Sequence, residues 1–422
     1  MGARVGRALV AWRAGRLKSY VCTSPRRICR PGDPDRLSGL HWPIASASRL
    51  LSLLLRKSFL FLICLLASVS ATAQNIVIGQ SAPLSGPAAD IGRDIRDGAT
   101  AWFEHVNAAG GIGGRKITLL TLDDANDKAR AADNAKSLID RGVVALFGYA
   151  SATLSVNAIP AAEKAGMAFF APFTGSLSIR DKPPVFTIRA SYKDETERII
   201  SHQKSVGATS TVVLHYDDEV GKVNYDTVAA VVAAGGGVKP KGVAVKRGAK
   251  VDASALDALL ADNPHYVLAT TQSPPVVELL KMMADKGRAV PIVALSFVNP
   301  DELASLSGTA ARGTIVSQVV PTPRAVANPN FTVVKDCADA LTALNGAVLN
   351  YTTLESCIAA RVLVEGIRRA QPQVNRATLF KGLETVGRLD LGGFFVTLTP
   401  GNHHGSKWVD LSILSRGNAY RN

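Results

Sequence analysis

Residues 116–147 read KITLLTLDDANDKARAADNAKSLIDRGVVALF, and the order of two periodicities in this stretch decides the fold. Lys116 to Leu122 is a short apolar run of strand length, Asp127 to Asp140 repeats its apolar positions as a helix does, and Val143 to Phe147 is again a strand. Working upstream, Ile76-Val-Ile78 is a strand, and Ile91, Ile95, Ala99, Trp102 and Val106 recur at helical spacing until Gly110-Gly111 stops them. Downstream, Ser155 to Ala165 predicts a helix and Met167 to Ala171 a strand. A βαβ series of this kind makes a mainly parallel sheet covered on both faces.

The rhythm restarts after Arg189. Helices are predicted over Glu195 to Ser205, Val223 to Ala234, Ala253 to Leu260 and Pro275 to Lys286. They alternate with strands at Thr211 to His215, Val243 to Val245, Tyr266 to Ala269 and Pro291 to Leu295. Thr314 to Val320 is a further strand running to Pro321-Thr-Pro323. Phe331 to Asn345 and Leu354 to Ala370 are long helices, and Phe394 to Leu398 and Lys407 to Leu414 give a β-rich tail. The fold class is α/β: two doubly wound lobes in tandem, with ligand loops at the carboxyl ends of their parallel strands and a cleft between them.

Charge points elsewhere until its position is considered. The 422 residues carry a formal +14, which suggests a nucleic-acid or acidic-membrane partner. Residues 1–73 hold twelve basic residues and only Asp33 and Asp35, so +10 belongs to them and the other 349 residues keep +4. No nucleic-acid partner is expected. Within that leader, Arg56-Lys57 precedes the apolar run Ser58 to Ala67, and Ala71-Thr-Ala73 supplies small residues for a cut after Ala73. This is a secretory signal, and about ten apolar residues are too few for a bilayer that needs about twenty. Cys64 follows Ile63, where a lipoprotein signal needs a small residue. Residues 1–50 show no sustained apolar period and read as a gene-model extension, since no Met occurs between Met1 and Met167.

After such a cut only Cys337 and Cys357 remain. They fall in helical patterns separated by a turn at Asn345-Gly346. Either they close a loop of about twenty residues, with about 3 kcal/mol of stabilisation on the chain-entropy argument, or they are two buried thiols. Without CxxC spacing there is neither a zinc site nor a redox motif.

Catalytic machinery is hard to find. Gly110-Gly-Ile-Gly-Gly-Arg-Lys116 lacks phosphate-loop spacing and leads into a strand, so it ends a helix. His403-His404 is an adjacent pair in a Gly-rich tail, and Ser201-His-Gln-Lys204 sits in an ordinary helix without companion motifs. Asp123-Asp124 and Asp217-Asp218 point to opposite faces of their strands, which suits caps for the following helices better than a shared proton. No enzyme, cofactor or metal is expected.

Ile78-Gly-Gln-Ser-Ala-Pro-Leu-Ser-Gly-Pro87, Asn107-Ala-Ala-Gly-Gly-Ile-Gly-Gly-Arg115, Leu122-Asp-Asp124, Gly148 and Ala171-Pro-Phe-Thr-Gly175 resemble the branched-chain amino-acid (leucine/isoleucine/valine) type of periplasmic ABC-transporter binding protein. The resemblance runs from Ile76 to near the C-terminus. It implies a type I periplasmic-binding fold with three crossovers, near Ala190–Tyr192, Val320–Pro321 and Leu389–Gly393. Lobe 1 is then 74–190 plus 322–388, and lobe 2 is 191–321 plus 389–422. It implies a monomer that captures a small carboxylate-bearing solute, amino acid or organic acid, for a membrane ABC permease; a sensor module of the same fold is the alternative.

By that pattern the ligand carboxylate meets Ser151, Ala152 and Thr153, and Thr174, Gly175 and Ser176. Helix N-termini and hydroxyl donors suit it there, although simple N-caps would use the same residues. Tyr216, Asp218, Gln272, Ser296 and Phe297 face them; Leu84, Ser85 and Ile91 line the rim, and Tyr192 reaches in from a crossover. Ungapped matching puts Ser296 where the family carries the acid that pairs with a ligand ammonium, and Val220 and Gln272 where it carries aromatics. Asp217 or Asp218 takes over the acid's role, or the ligand lacks the amine. Asn126 and Ser151 stand where the family has paired cysteines. Amino-terminal sequencing of the exported protein is expected to begin at Gln74; a start upstream of Leu50 would overturn the reading of residues 1–50.

Overall fold

The computed structural model describes residues 74–344, 347–415 and 420–421; the leader and the turn at Asn345-Gly346 lie outside them. Strand and helix alternate from the start: β1 (Ile76–Ala82), α1 (Ala89–Ala108), β2 (Ile117–Asp123), α2 (Lys128–Asp140), β3 (Ala145–Phe147), α3 (Ala152–Lys164), β4 (Ala168–Phe170) and β5 (Val185–Phe186). These strands form one parallel sheet in the order β2-β1-β3-β4-β5. Their starts follow local chemistry. Asp127 accepts from Arg130 N to open α2, and Ser151 accepts from Leu154 N to open α3, three residues earlier than apolar spacing alone indicated.

The second series is α4 (Tyr192–Ser205), β6 (Thr211–Tyr216), α5 (Glu219–Ala234), β7 (Lys241–Val245), α6 (Ala253–Leu260), β8 (Tyr266–Ala269), α7 (Ser273–Asp285), β9 (Ile292–Ala294), α8 (Pro300–Ser307) and β10 (Ile315–Gln318). Helix α8 has no apolar repeat to announce it; it is set by Asn299, whose side chain accepts from Asp301 N and Glu302 N. The chain then returns through α9 (Thr332–Thr342), α10 (Tyr351–Arg369) and α11 (Arg376–Glu384) to a hairpin of β11 (Gly387–Asp390) and β12 (Phe395–Leu398), and ends in β13 (Asp410–Leu414) and β14 (Tyr420–Arg421). The second sheet runs β14-β13-β10-β9-β8-β6-β7, parallel except for the two terminal strands.

Each sheet is buried on both faces. One core gathers Ile76, Phe103, Phe147, Phe170, Ile358 and Leu363 with Phe394, Val396 and Leu398. The second sheet has a cluster on either side, one around Leu256, Leu279 and Leu303 and one around Ile199, Val228 and Tyr266. The third crossing is therefore not at Leu389–Gly393. Asp390 Oδ1 accepts from the backbone N of Gly392 and Gly393, whose φ values of 97° and 89° fold the segment back as a hairpin on the first core. The chain leaves that core only after Trp408, because β13 pairs with β10 of the other sheet. Residues 389–408 thus pack with the first sheet.

Cys337 on α9 and Cys357 on α10 are disulfide-bonded, with Cα atoms 6.0 Å apart. Helix α10 in turn lies against α1 at Gly98, where a Cβ would stand 2.2 Å from Thr353 O and 2.8 Å from Ser356 Cβ. Alanine in an open helix interior gains about 1 kcal/mol over glycine. Gly98→Ala is expected instead to lose about 1–3 kcal/mol in urea unfolding; a gain would show that the two helices part without penalty.

Candidate ligand site

The strand orders locate the site before any side chain is considered. Strand order reverses between β1 and β3 in the first sheet and between β6 and β8 in the second, and open α/β sheets bind ligands at the carboxyl ends flanking such a reversal. The loops there are Pro83–Ala88 and Gly148–Ser151 on one side, and Asp217–Asp218 and Thr270–Gln272 on the other.

In the first lobe, Gly148 has φ 65° because the chain must pass Ile95 and Gln80, where a Cβ would meet Ile95 Cγ2 at 2.9 Å. The turn brings Ser151 to the start of α3. Its hydroxyl is used as the cap, 3.2 Å from Leu154 N, so that residue performs the structural role open to it. The amides of Ala152 and Thr153 belong to the first turn and have no helical carbonyl to bind. The hydroxyls of Thr153 and Tyr149 are buried with no hydrogen-bond partner among the described residues. Burial also pushes the Tyr149 phenol far up, with the Asp124 carboxylate adding to it.

The loop after β4 packs beside this turn: Phe173 N donates to Tyr149 O at 2.8 Å, and Tyr192 N donates to Gly175 O at 2.8 Å. Gly175 is required there, since a Cβ would come within 2.5 Å of the Tyr192 ring. Thr174 Oγ1 accepts from Ser176 N and lies 3.4 Å from the Tyr192 hydroxyl. Ser176 Oγ donates to Oδ1 of Asn224, on α5, at 2.8 Å, joining the loop to the second lobe. Leu84 and Ser85 stay outside this group. Leu84 N and Ser85 Oγ donate to Asp123, whose carboxyl they hold down at about 2. Asp123 and Asp124 therefore organise loops; the cap of α2 is Asp127.

In the second lobe Gln272 N donates to the Tyr216 hydroxyl at 3.3 Å, and the Arg247 guanidinium lies 3.8 Å from the Tyr216 ring centre. Arg247 Nε is also 2.8 Å from Asp218, which caps α5 through Gly221 N. Burial alone would raise Asp218, but these two donors hold it below the usual carboxylate range. With both roles filled, Asp218 is a poor counter-charge for a ligand ammonium. The Thr271 hydroxyl is buried and unpartnered among the described residues.

Ser296 has a different setting from Tyr216, Asp218 and Gln272. Its N and Oγ donate to Glu195 at 2.8 and 2.9 Å, Ser317 Oγ donates to the same carboxylate at 2.6 Å, and Arg189 Nη2 donates to Ser296 Oγ. Arg189 is 2% exposed, and its Nε lies 3.4 Å from Glu355. Arg189, Ser296, Glu355, Ile91, Phe173 and Phe297 line a cavity between the lobes beside the first two crossings. Ile91, Ser296 and Phe297 are thus brought together, Thr174, Gly175, Ser176 and Tyr192 form a second group, and Tyr216, Asp218 and Gln272 a third.

Arg189, Glu195, Asn224, Arg247 and Glu355 were not foreseen from the sequence. A signal existed for two of them: Glu355 interrupts the apolar stripe Tyr351, Leu354 and Ile358, and Glu195 lies in the stripe Tyr192, Thr196 and Ile199. Burial raises Glu355 from 4.5 to about 7, partly offset by Arg189 and reinforced by Glu195. The folded protein therefore binds this proton more tightly than the unfolded chain, and stability falls as pH rises from about 4.5 to 7 and levels off above. Asp94 and Asp124, each raised to about 6 by burial, add to the same slope. In urea titrations across that window, Glu355→Gln is expected to flatten the decline by roughly 1–3 kcal/mol; an unchanged slope would show that Glu355 does not titrate there.

A family model described as periplasmic binding protein matches residues 75–411. Among curated relatives, the Leu/Ile/Val-binding protein homolog 2 of Brucella abortus is 27% identical over 294 residues, 68% of this chain and 78% of that protein. The homolog 3 of Brucella melitensis is 26% identical over 317 residues, 74% of this chain and 84% of that protein. A solved possible leucine/isoleucine/valine-binding protein from Rhodopirellula baltica superposes with a TM-score of 0.78 at 27% identity, covering 82% of this chain and 96% of its own. A substrate-binding periplasmic protein from Ralstonia solanacearum gives 0.75 at 27%, covering 81% and 98%. The two-lobed architecture is the type I periplasmic-binding fold.

Proposed function

The chain belongs to the periplasmic binding protein family, and from that premise we propose that it captures a small carboxylate-bearing solute between its lobes and hands it to a membrane ABC importer. The observation that carries this reading is the buried Thr153 hydroxyl in the first turn of α3 and that of Tyr149 two residues before its cap, both without a hydrogen-bond partner among the described residues. A buried hydroxyl without a partner costs about 1–3 kcal/mol. The first-turn amides of Ala152 and Thr153 and the positive end of the helix dipole belong to the same helix start as the Thr153 hydroxyl, so an anion there would satisfy several groups at once. Thr271 offers a further unpartnered hydroxyl at a carboxyl strand end of the opposite sheet.

Function in this reading is differential binding. The solute gains contacts from both lobes only when they are together, so it stabilises that arrangement over one in which they are apart. Ser176 and Asn224 already hydrogen-bond across the divide. Export follows from the leader, with the signal removed after Ala73, and the mature chain works in the periplasm as the family does.

The test is a thermal-shift screen of amino acids, keto acids and aromatic acids on protein beginning at Gln74. A ligand at 100 times its dissociation constant stabilises by about 2.7 kcal/mol, so at least one carboxylate is expected to raise the melting temperature by several degrees. If none does, the proposal fails.

A further inference from the structure

At the strand ends of the second lobe a guanidinium is held from two sides and has donors to spare. Arg247 follows β7, which lies next to β6 in the sheet. Its central carbon is 3.8 Å from the centre of the Tyr216 ring, and its Nε donates to Asp218 at 2.8 Å. Those contacts fix the group without using its fork: neither terminal nitrogen donates to any described residue. Asp218 is shared, with one oxygen on Arg247 and the other on Gly221 N at the start of α5. The two side chains are 28% and 34% exposed. Asp217, Glu219, Lys246 and Lys250 beside them are exposed.

The pair faces the first lobe. Burial raises Asp218, and Arg247, Gly221 N and Lys128 together bring it below the usual carboxylate range. Lys128 opens α2 of the first lobe, so its field reaches Asp218 across the divide. Helix α5, which Asp218 caps, also meets the carboxylate loops directly, through Asn224 and Ser176. The four exposed charges nearby cancel, two acids against two lysines, which leaves Arg247 and Lys128 against the single carboxylate of Asp218. An arginine pinned at Nε and stacked on an aromatic ring presents its terminal N–H groups in a fixed fork, matched to the two oxygens of a carboxylate. Because the fork is already held, little further freedom is lost when an anion arrives.

Resting on the carboxylate-capture reading, we propose that Arg247 binds a second carboxylate of the solute, the first being held at the opening of α3, so that the ligand is a dicarboxylate spanning the two lobes. Lys128 adds positive field at that far end. A solute bonded at one end to the first lobe and at the other to the second satisfies both ends only when the lobes are together, so its distal carboxylate favours closure as well as deciding which acids are taken. A monocarboxylate of the same length leaves the fork of Arg247 to water.

The test is calorimetry on the intact mature protein with matched pairs in which a methyl group replaces the distal carboxylate: succinate and butyrate, glutarate and valerate, glutamate and norvaline, terephthalate and p-toluate. The spacing of the two ends differs between pairs, so the series also reads the reach from the α3 opening to Arg247. In at least one pair the dicarboxylate is expected to bind about tenfold or more tightly than its partner. In Arg247→Gln, its melting curve confirming a folded protein, that preference is expected to shrink about tenfold while the monocarboxylate changes by less than about threefold. Lys246→Gln removes a neighbouring exposed charge and is expected to leave the preference in place. If the monocarboxylates bind as well as or better than their partners in the native protein, the assignment of Arg247 is overturned while carboxylate capture stands; this comparison needs no variant. A preference that survives Arg247→Gln, or that Lys246→Gln removes equally, overturns it as well. If no member of any pair binds, the Arg247 assignment falls, and carboxylate capture falls with it unless another acid raises the melting temperature in the thermal-shift screen.

Discussion

The arrangement between the lobes depends on one buried guanidinium. Arg189 sits at the first crossing of the chain, 2% exposed, with Glu355 of the first lobe on one side and Ser296 of the second on the other. A charge removed from water to that extent persists only where opposite charge and hydrogen-bond acceptors surround it. Burial alone would lower its pKa, and Glu355 and Glu195 outweigh that, keeping it above the ordinary arginine value. Those surroundings come from three places in the sequence: the start of α4, the loop after β9 and the first turns of α10, with Ser317 of β10 completing the shell of Glu195.

This explains why both lobes meet at a fixed place although each has its own core. Ser296 is the shared point. It receives the guanidinium on its hydroxyl and gives its own two donors to Glu195, so its position is set by residues about one hundred positions earlier in the chain. Any movement of one lobe against the other must pivot near these bonds or break them.

Most of the architecture was legible because it rests on periodicity. The runs at 76–78 and 143–147 are apolar throughout, as strands inside a covered parallel sheet must be, the edge strand at 117–122 is interrupted by Thr118 and Thr121, and the helices between them carry one apolar stripe. Misreadings arose where a local backbone device overrode the pattern. Asp390 with Gly392-Gly393 makes a hairpin out of what looked like a crossing, and Asn299 starts a helix that has no stripe. At the site, the loops at strand ends were found from their hydroxyls and glycines. Glu355 was missed because a charge inside a helix is normally a solvated one, although its place in the apolar stripe of Tyr351, Leu354 and Ile358 was a signal that this turn faces inward. Asp218 shows the opposite case: its side chain reads as available in sequence, and in space it is paired with Arg247.

The disulfide has a further meaning once Glu355 is considered. Cys357 lies two residues beyond Glu355 on the same helix, and its bond to Cys337 ties that turn of α10 to α9. In a reducing compartment the tie is open, so the turn presenting the carboxylate is held by packing alone. The position of Glu355 relative to α9 is thus covalently fixed only in the oxidised chain.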